Sequence, residues 1–464
     1  MAASPPRIVV AGLSGDGGKT VVSLAILRAL GERGGARRAF KKGPDYIDAA
    51  WLTWAAGGPA RNLDTYLMGG DVVRRSFLQH AIDDGLNLVE GNRGLFDGFD
   101  ARGTHSTAEL AKLLVAPVLV VVSCEKVTRT AAALVLGCQR MDPALKIAGV
   151  VLNRVGSRRH ESVLRTAIEE TCGVPVVGVV PRLGGDGLVA MRHLGLVTPA
   201  EHGALAGEEL SARLRAVAAG IDLERVRAIA TVAGPMAGDG AAAPAPALPD
   251  GRGLTVGVVR DAAFNFYYAE NLELLERSGA RVVEIAALAA AALPPGLDAL
   301  YIGGGFPETH AARLAANAGF LRSLRAAAAG GLPIYAECGG LMLLSEFIRW
   351  QGAEHRMAGV LPFGVEMVER PQGHGYTEIE VDAENPFYAP GTRLRGHEFH
   401  YSKIVVGGAL RTACAVQRGA GCGGGRDGVV VNRVWASYTH LHALATPEFV
   451  AGVIWAARGW RDGR

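Results

Sequence analysis

The amino-acid sequence predicts an α/β protein of two domains: a parallel sheet with helices on both faces, followed by a second α/β domain. Three observations predict it. Continuous apolar runs alternate with helical patterns through the first half of the chain. The alternation stops in a Pro/Ala/Gly-rich stretch and then restarts, and the length of 464 residues allows two domains with a core each. Strands covered on both faces read as unbroken apolar runs, which marks a parallel sheet rather than a half-exposed antiparallel one. The expected divisions are a first domain over 1–233, a linker over 234–252 with no apolar periodicity, and a second domain over 253–464.

In the first domain RIVVAG (7–12) reads as a strand, and TVVSLAILRALGERG has helical spacing and stops at Gly. LNLVEG (86–91), PVLVVVS (117–123), IAGVVLNRV (147–155) and VPVVGVVPR (174–182) read as further buried strands. The longest apolar run, Leu113 to Val122 with Pro117 inside it, is too short to cross a bilayer and is expected to be a buried strand. After the linker come LTVGVVRD (254–261), a helix around Glu270–Ser278, ARVVEI (280–285), DALYIGGG (298–305) and GLPIYAEC (331–338). From about Met357 the chain is richer in short strands and Gly.

Composition narrows the function classes. Apolar residues make up 49% and charged residues 20%, a globular balance. The net charge of +3 argues against nucleic acid as the main partner. The opening MAASPPRIVV lacks the apolar core of a signal peptide. Six cysteines, at 124, 138, 172, 338, 414 and 422, form no CxxC pair, the pattern of reduced cytosolic thiols of which one or two carry chemistry. A cytoplasmic protein without membrane attachment is expected.

Two places carry chemistry. The first is Gly12-Leu-Ser-Gly15-Asp-Gly17-Gly18-Lys19-Thr20, set between a strand and a helix. Glycines there let backbone N–H groups approach phosphate, and the helix start attracts anions. Lys19 is then expected to reach the β/γ-phosphates of ATP and the Thr20 hydroxyl to bind Mg²⁺. The loop is a variant, because Leu13 stands where the strict pattern has Gly. Two acidic segments accompany it, one containing Lys41, Asp45 and Asp48, the other Glu90 and Asp97. Glu90, expected at a strand end, suits a Mg²⁺ ligand.

The second place is Cys338, which follows an apolar strand and precedes Gly339-Gly340 and an apolar helix. A sharp strand-to-helix turn exposes a nucleophile, and the helix start is expected to lower the thiol pKa. Ser437-Tyr-Thr-His440-Leu-His442 is the best source of a base; on a strand His440 and His442 share a face, so one could act and the other support it. His397 and His400, three apart on a strand, face opposite sides and make a poor metal pair. Gly303-Gly304-Gly305 could offer backbone N–H groups to an oxyanion, with Gly305 and Gly339 the best placed.

The segments GLSGDGGKT, FKKGPDYIDAAW, RNLDTYL, VEGNRGLFDG, STAELAKLL and VLNRVGSRRH, followed by RDAAFNFYYAENLELL, YIGGGFPETHAARLAAN, LPIYAECGGLM, LRGHEFHYS and ASYTHLH, resemble the cobyrinic acid a,c-diamide synthase family along nearly the whole chain. Such enzymes resemble dethiobiotin synthetase in the N-terminal half and class I glutaminases in the C-terminal half. The resemblance implies that Cys338, assisted by His440, forms a γ-glutamyl thioester and releases ammonia. It implies that ATP and Mg²⁺ activate a tetrapyrrole carboxylate, with Lys19, Thr20 and Glu90 binding nucleotide and metal. Asp45, Asp48 and Asp97 would order the substrate and the metal, Lys41 would lie in the same substrate site, and Asn153 would read adenine. Glutamine and a tetrapyrrole polycarboxylate are the implied partners, and a homodimer is compatible with it. Three positions depart from the pattern: Asp16 in the phosphate loop, Ser123-Cys124-Glu125 where the family has Asp, and His442 where common class I glutaminases have Glu. The last fits a Cys–His dyad. Sirohydrochlorin or siroheme is an alternative substrate, and a partition-type nucleotide switch a remote alternative function.

Overall fold

The computed structural model describes residues 4–182, 191–192, 195–196, 198–236, 247–406 and 408–463. The chain divides into two compact units, 1–244 and 245–464. Part of the expected linker, 237–246, lies outside the described residues.

In the first unit, β1 (Arg7–Gly12), β2 (Arg37–Lys42), β3 (Arg61–Leu63), β4 (Leu86–Gly94), β5 (Val118–Ser123), β6 (Ile147–Val155) and β7 (Val176–Pro181) form one sheet in the order β3-β2-β4-β1-β5-β6-β7. All its pairings are parallel. Helices α1 (Lys19–Glu32), α2 (Tyr46–Ala56), α3 (Thr65–His80), α4 (Thr107–Leu113), α5 (Thr130–Met141) and α6 (Arg158–Cys172) make the crossovers. A two-residue ladder, β8 (Met191–Arg192) with β9 (Gly195–Leu196), precedes α7 (Pro199–Ala218) and α8 (Leu223–Thr231). Every residue of β1 is buried, as an inner parallel strand requires. The apolar run 113–122 is not one strand: Leu113 ends α4 and pairing begins at Val118. Pro117 lacks an N–H, so the ladder begins after it, and Ser106 caps α4 by accepting from Glu109 N. Glu90 stands inside β4 and not at its end, because pairing with β1 resumes at Gly94 after an irregularity.

The second unit holds a ten-stranded mixed sheet. Its parallel part joins β10 (Thr255–Val259), β11 (Arg281–Ile285), β12 (Ala299–Ile302) and β13 (Ile334–Glu337), with α9 (Ala269–Arg277), α10 (Ala311–Ala316), α11 (Ala318–Ala329) and α12 (Gly339–Leu344) interleaved. A smaller sheet follows, from β14 (Phe347–Trp350), β15 (Ala353–Arg356), β16 (Phe363–Met367) and, after β17 (Gly373–Val381) and β18 (Arg393–His400), β19 (Ser402–Val406). Then come β20 (Thr412–Arg418), β21 (Arg426–Val431), β22 (Val434–Ser437), β23 (His440–Leu441) and α13 (Glu448–Asp462). The large sheet runs β11-β10-β12-β13-β22-β21-β20-β17-β18-β23. β22 lies parallel to β13, while β23, two residues further on, leaves it to pair with β18. That departure carries His440 off the end of β22, beside the C-terminal end of β13. Among the described residues, no helix is long and apolar enough to cross a membrane.

Candidate active sites

In the first unit, pairing register decides which charges meet. Lys41 of β2 is the direct partner of Glu90 on β4, and paired residues project to the same face. Lys41 Nζ lies 2.9 Å from Glu90 Oε1 and 2.6 Å from Asp48 Oδ2, and donates to Gly91 O at 3.1 Å. Glu90 Oε1 also accepts from the Thr20 hydroxyl at 2.8 Å, so α1 and β4 are tied at the phosphate loop. Burial works against the charge on Lys41, but Asp48, Glu90 and Asp45 outweigh it and hold its pKa above the ordinary value. Burial raises Glu90, with Lys41 opposing. Asp45 is pushed up to about 6, by burial first and then by Asp48. It also caps α2, accepting from Asp48 N at 2.8 Å.

The loop after β1 has the conformation its glycines allow. Gly18, at φ 91°, lies in the left-handed region, and a Cβ there would collide with the Asn153 amide. Asn153 donates to Gly17 O at 2.9 Å, and its Oδ1 accepts from Arg154 N, so both ends of the amide brace backbone. Lys19 Nζ donates to Gly15 O at 2.9 Å; burial first, and Lys41 second, lower its pKa. Gly12 carries the loop's first close approach, since a Cβ there would stand 3.0 Å from Ser14 O. Asp97 is exposed and accepts from Gly94 N at 2.8 Å, in the turn whose Leu95 N donates to Gly12 O. Glu125, one of the three departures, pairs with Arg154 and Arg182 at 3.8 and 3.3 Å.

These residues fit a nucleotide and a divalent cation. Glu90 Oε2 is buried and has no hydrogen-bond partner, an orphaned anionic oxygen beside the Thr20 hydroxyl. Among the described residues, no group of three or more His, Cys, Asp or Glu could hold a metal by itself. One carboxylate beside one hydroxyl, as in Glu90 and Thr20, is a donor set of the kind Mg²⁺ takes, since it fills the rest of its shell with phosphate and water.

In the second unit the chain turns sharply after β13. Cys338 has φ 48° and ψ −96°, Gly339 opens α12, and Cys338 N donates to Ser437 O at 2.8 Å. A Cβ on Gly339 would stand 3.0 Å from Gly305 N, and one on Gly304 would stand 2.5 Å from His440 Cε1 and 3.3 Å from its Nε2. The triple-glycine loop therefore lies between the residue after Cys338 and the imidazole of His440. Gly305 has φ 154°, and a Cβ there would collide with Ala263 O. The Gly303 N–H is spent on Tyr267 Oη at 2.7 Å.

Asp427, wholly buried on β21, organises the turn from β22 to His440. It accepts from Ser437 Oγ at 2.9 Å, Tyr438 N at 3.1 Å, and Thr439 N and Oγ1 at 3.2 and 2.9 Å. Nothing in its spacing from Cys338 or His440 marked it in the sequence. Asp427→Asn turns two acceptor oxygens into one and sets an NH₂ against donors. It should cost about 2–4 kcal/mol, read as a lower midpoint in urea unfolding of the whole chain, and should slow glutamine hydrolysis.

Two expectations change here. Burial first, and the Glu308 carboxylate second, push the Cys338 thiol above its ordinary range, although the Gly339 N–H pulls the other way. The six-residue α12 does not overcome desolvation. The free protein then holds a thiol and not a preformed thiolate at neutral pH. Its thiolate fraction should grow about tenfold per pH unit, so iodoacetamide labelling of Cys338 without glutamine should climb from about pH 7 to about pH 9 with no plateau. Nor does His442 support His440: its Nε2 lies 3.7 Å from Glu270 Oε2 and its ring packs on Tyr268, whereas His440 Nδ1 lies 3.5 Å from Glu337 Oε2. His397, the cross-strand partner of His440, stacks on it at 5.1 Å, and His400, on the opposite face of β18, stacks on Tyr438 at 3.7 Å. Burial first, then His440 and His442, holds His397 well below the ordinary histidine range.

Two family models match the chain. Residues 8–193 match the CobQ/CobB/MinD/ParA nucleotide binding domain, and residues 255–448 the CobB/CobQ-like glutamine amidotransferase domain. The cobyrinate a,c-diamide synthase of Magnetococcus marinus is 41% identical over 461 residues, covering 98% of this chain and 97% of that protein. The enzyme of the same name from Dehalococcoides mccartyi strain CBDB1 is 40% identical, covering 97% of each chain. That of Salmonella typhimurium is 38% identical, covering 99% of each. With a nucleotide-binding unit and a glutamine amidotransferase unit in one chain, and relatives matched end to end, this protein belongs to the cobyrinate a,c-diamide synthase family and is a glutamine-dependent amide ligase.

Proposed function

We propose that this protein converts the a and c acetate carboxylates of cobyrinic or hydrogenobyrinic acid to amides, using glutamine as nitrogen source and ATP with Mg²⁺ to activate each carboxylate. The observation that carries the reading is the cluster of buried Lys41 and Glu90 with half-buried Asp48 and Thr20, whose orphaned Glu90 oxygen suits a cation at the mouth of a phosphate loop. Bound ATP·Mg²⁺ supplies the phosphoryl group that makes a carboxylate an acyl phosphate. Gly12, Gly15, Gly17 and Gly18 would line the phosphates, and Lys19, which bonds Gly15 O in the free loop, would be the residue that meets the β/γ-phosphate charge. Thr20, Glu90 and Asp45 would hold the metal. Lys41, Asp48 and Asp97 would orient the substrate. Asn153 braces the loop in place of the adenine-reading role that the resemblance implies, because its amide is taken up by Gly17 O and Arg154 N.

In the glutaminase unit Cys338 Sγ attacks the side-chain carbonyl of glutamine while His440 takes the thiol proton. The N–H groups of Gly305 and Gly339 receive the developing oxyanion. His440 returns the proton to the leaving ammonia, and water then releases glutamate from the thioester. Ammonia displaces phosphate from the acyl phosphate to give the amide.

Product mass tests the substrate. With ATP, Mg²⁺ and glutamine, cobyrinic acid should lose about one mass unit per amidation in two steps, since NH₂ replaces OH, with ATP required for each. Mass loss on sirohydrochlorin alone would keep the chemistry and change the substrate. ATP hydrolysis with no mass change on either would return the nucleotide-switch reading.

A further inference from the structure

We infer that Glu337, the residue immediately before the nucleophile, is the carboxylate that orients and charges the base His440, completing a Cys338–His440–Glu337 relay. The inference rests on the glutaminase reading above and replaces its two-residue dyad. Glu337 ends β13, where a parallel strand alternates its side chains, so Cys338 and Glu337 leave the backbone on opposite sides. The sharp turn at Cys338 and the departure of β23 from β22 then bring His440 back over that second side. Glu337 is fully buried, and a carboxylate in that position must be matched by donors. Two donors bond it: Leu441 N donates to Oε1 at 3.2 Å and the Tyr301 hydroxyl to Oε2 at 3.0 Å. His440 Nδ1 stands close by, 3.5 Å from Oε2, without yet closing a hydrogen bond.

The Leu441 bond fixes the peptide next to His440, and the approach of Nδ1 to Oε2 favours the tautomer that carries its proton on that side. With Nδ1–H directed at Glu337, Nε2 carries the lone pair, and that edge of the ring faces Gly304 beside the Gly305 and Gly339 backbone. The geometry matters because Cys338 is held as a thiol. A base that must take its proton during the reaction becomes imidazolium in a buried site, and a fixed negative charge at Nδ1 offsets the cost. Other buried carboxylates nearby have different work: Glu270 faces His442, Glu398 accepts from Ala420 N and Gly421 N, and Asp427 holds the Ser437–Thr439 turn. The 3.5 Å separation of Nδ1 from Oε2 in the free site is expected to close into a hydrogen bond once the imidazole is charged.

Glu337 acts through His440, so it is a positioning residue and its test must separate charge from scaffolding. Glutamine hydrolysis is measured on the full chain for Glu337→Gln, His440→Ala and the double variant. Glu337→Gln should lower kcat about 10²-fold or more with KM changed less than about threefold, since the loss falls on the charged transition state. In the His440→Ala background the same change should add less than about threefold, because the group it acts through is gone. Two independent losses that multiply, or a Glu337→Gln kcat within about threefold of the native protein, would overturn the inference. Should Glu337→Gln not fold, Glu337→Asp keeps the charge and withdraws it from Nδ1 by one methylene. It should lose kcat at constant KM and show the same non-additivity, and an unchanged kcat would overturn the inference. Cys338→Ala separates the two layers: if it keeps glutaminase activity, the underlying reading fails, whereas if it alone is dead and Glu337→Gln is active, only the relay fails.

Discussion

Replacing Cys338 by Ala is expected to abolish glutamine-dependent amidation, by about 10⁴-fold or more, while amidation from added ammonium salt persists at a rate near that of the native protein. The size follows from the step removed. Without a thiol no thioester forms, and water is a poor nucleophile toward a carboxamide, so little activity from glutamine remains. Survival of the ammonia reaction follows from the two compact units, each with its own core, since the change leaves the Lys41–Glu90 cluster untouched. Removing one sulfur from a buried position should lower stability by no more than about 1–2 kcal/mol. The check is product mass with glutamine and with ammonium salt in parallel. Loss of both would mean that Cys338 matters to the fold rather than to the chemistry.

Lys41→Met is the second large effect, and it should appear in stability as well as activity. The lysine is fully buried and faces Asp48 and Glu90, with Asp45 close enough to raise it further. Methionine fills similar space but leaves buried carboxylates with no cation between them. Breaking such a cluster from one side costs about 3–5 kcal/mol, a fall of about 10 °C in melting temperature for a unit of this size. ATP-dependent amidation should be lost with either nitrogen source. Lys19→Ala provides the contrast: its ammonium bonds only a local carbonyl, so activity should fall steeply while melting moves by no more than a few degrees. Differential scanning calorimetry of the two variants separates these roles. Equal melting temperatures would show that the Lys41 cluster is not the buried network described.

Much of the fold was legible because parallel strands are written as continuous apolar runs. RIVVAG and IAGVVLNRV stand where they are read, and the strands that open the second unit stand within three residues of their sequence positions. The phosphate loop and Cys338 were legible for a related reason. Both sit at strand-to-helix turns, where glycine spacing is a local steric demand and needs no partner from elsewhere in the chain. What escaped depended on contacts between distant segments. The apolar run stops at Glu90 and so predicts a strand end there, yet pairing continues to Gly94.

Residue types and local spacing determined by themselves the α/β class and the two chemically distinct turns. Tertiary structure alone decided the charges and partners at those turns. Lys41 stays charged because strand register sets it against Glu90, and Cys338 keeps its proton because burial outweighs a short helix. His440 faces Glu337 and not His442 because β23 swings from β22 to β18. Asp427, far in sequence from Cys338, holds the turn that makes this possible. The physical reason is one of range. Steric preference acts over a few neighbouring residues and can be read along the chain, whereas desolvation and Coulomb interaction depend on what is packed within a few ångströms in space, which only the completed fold specifies.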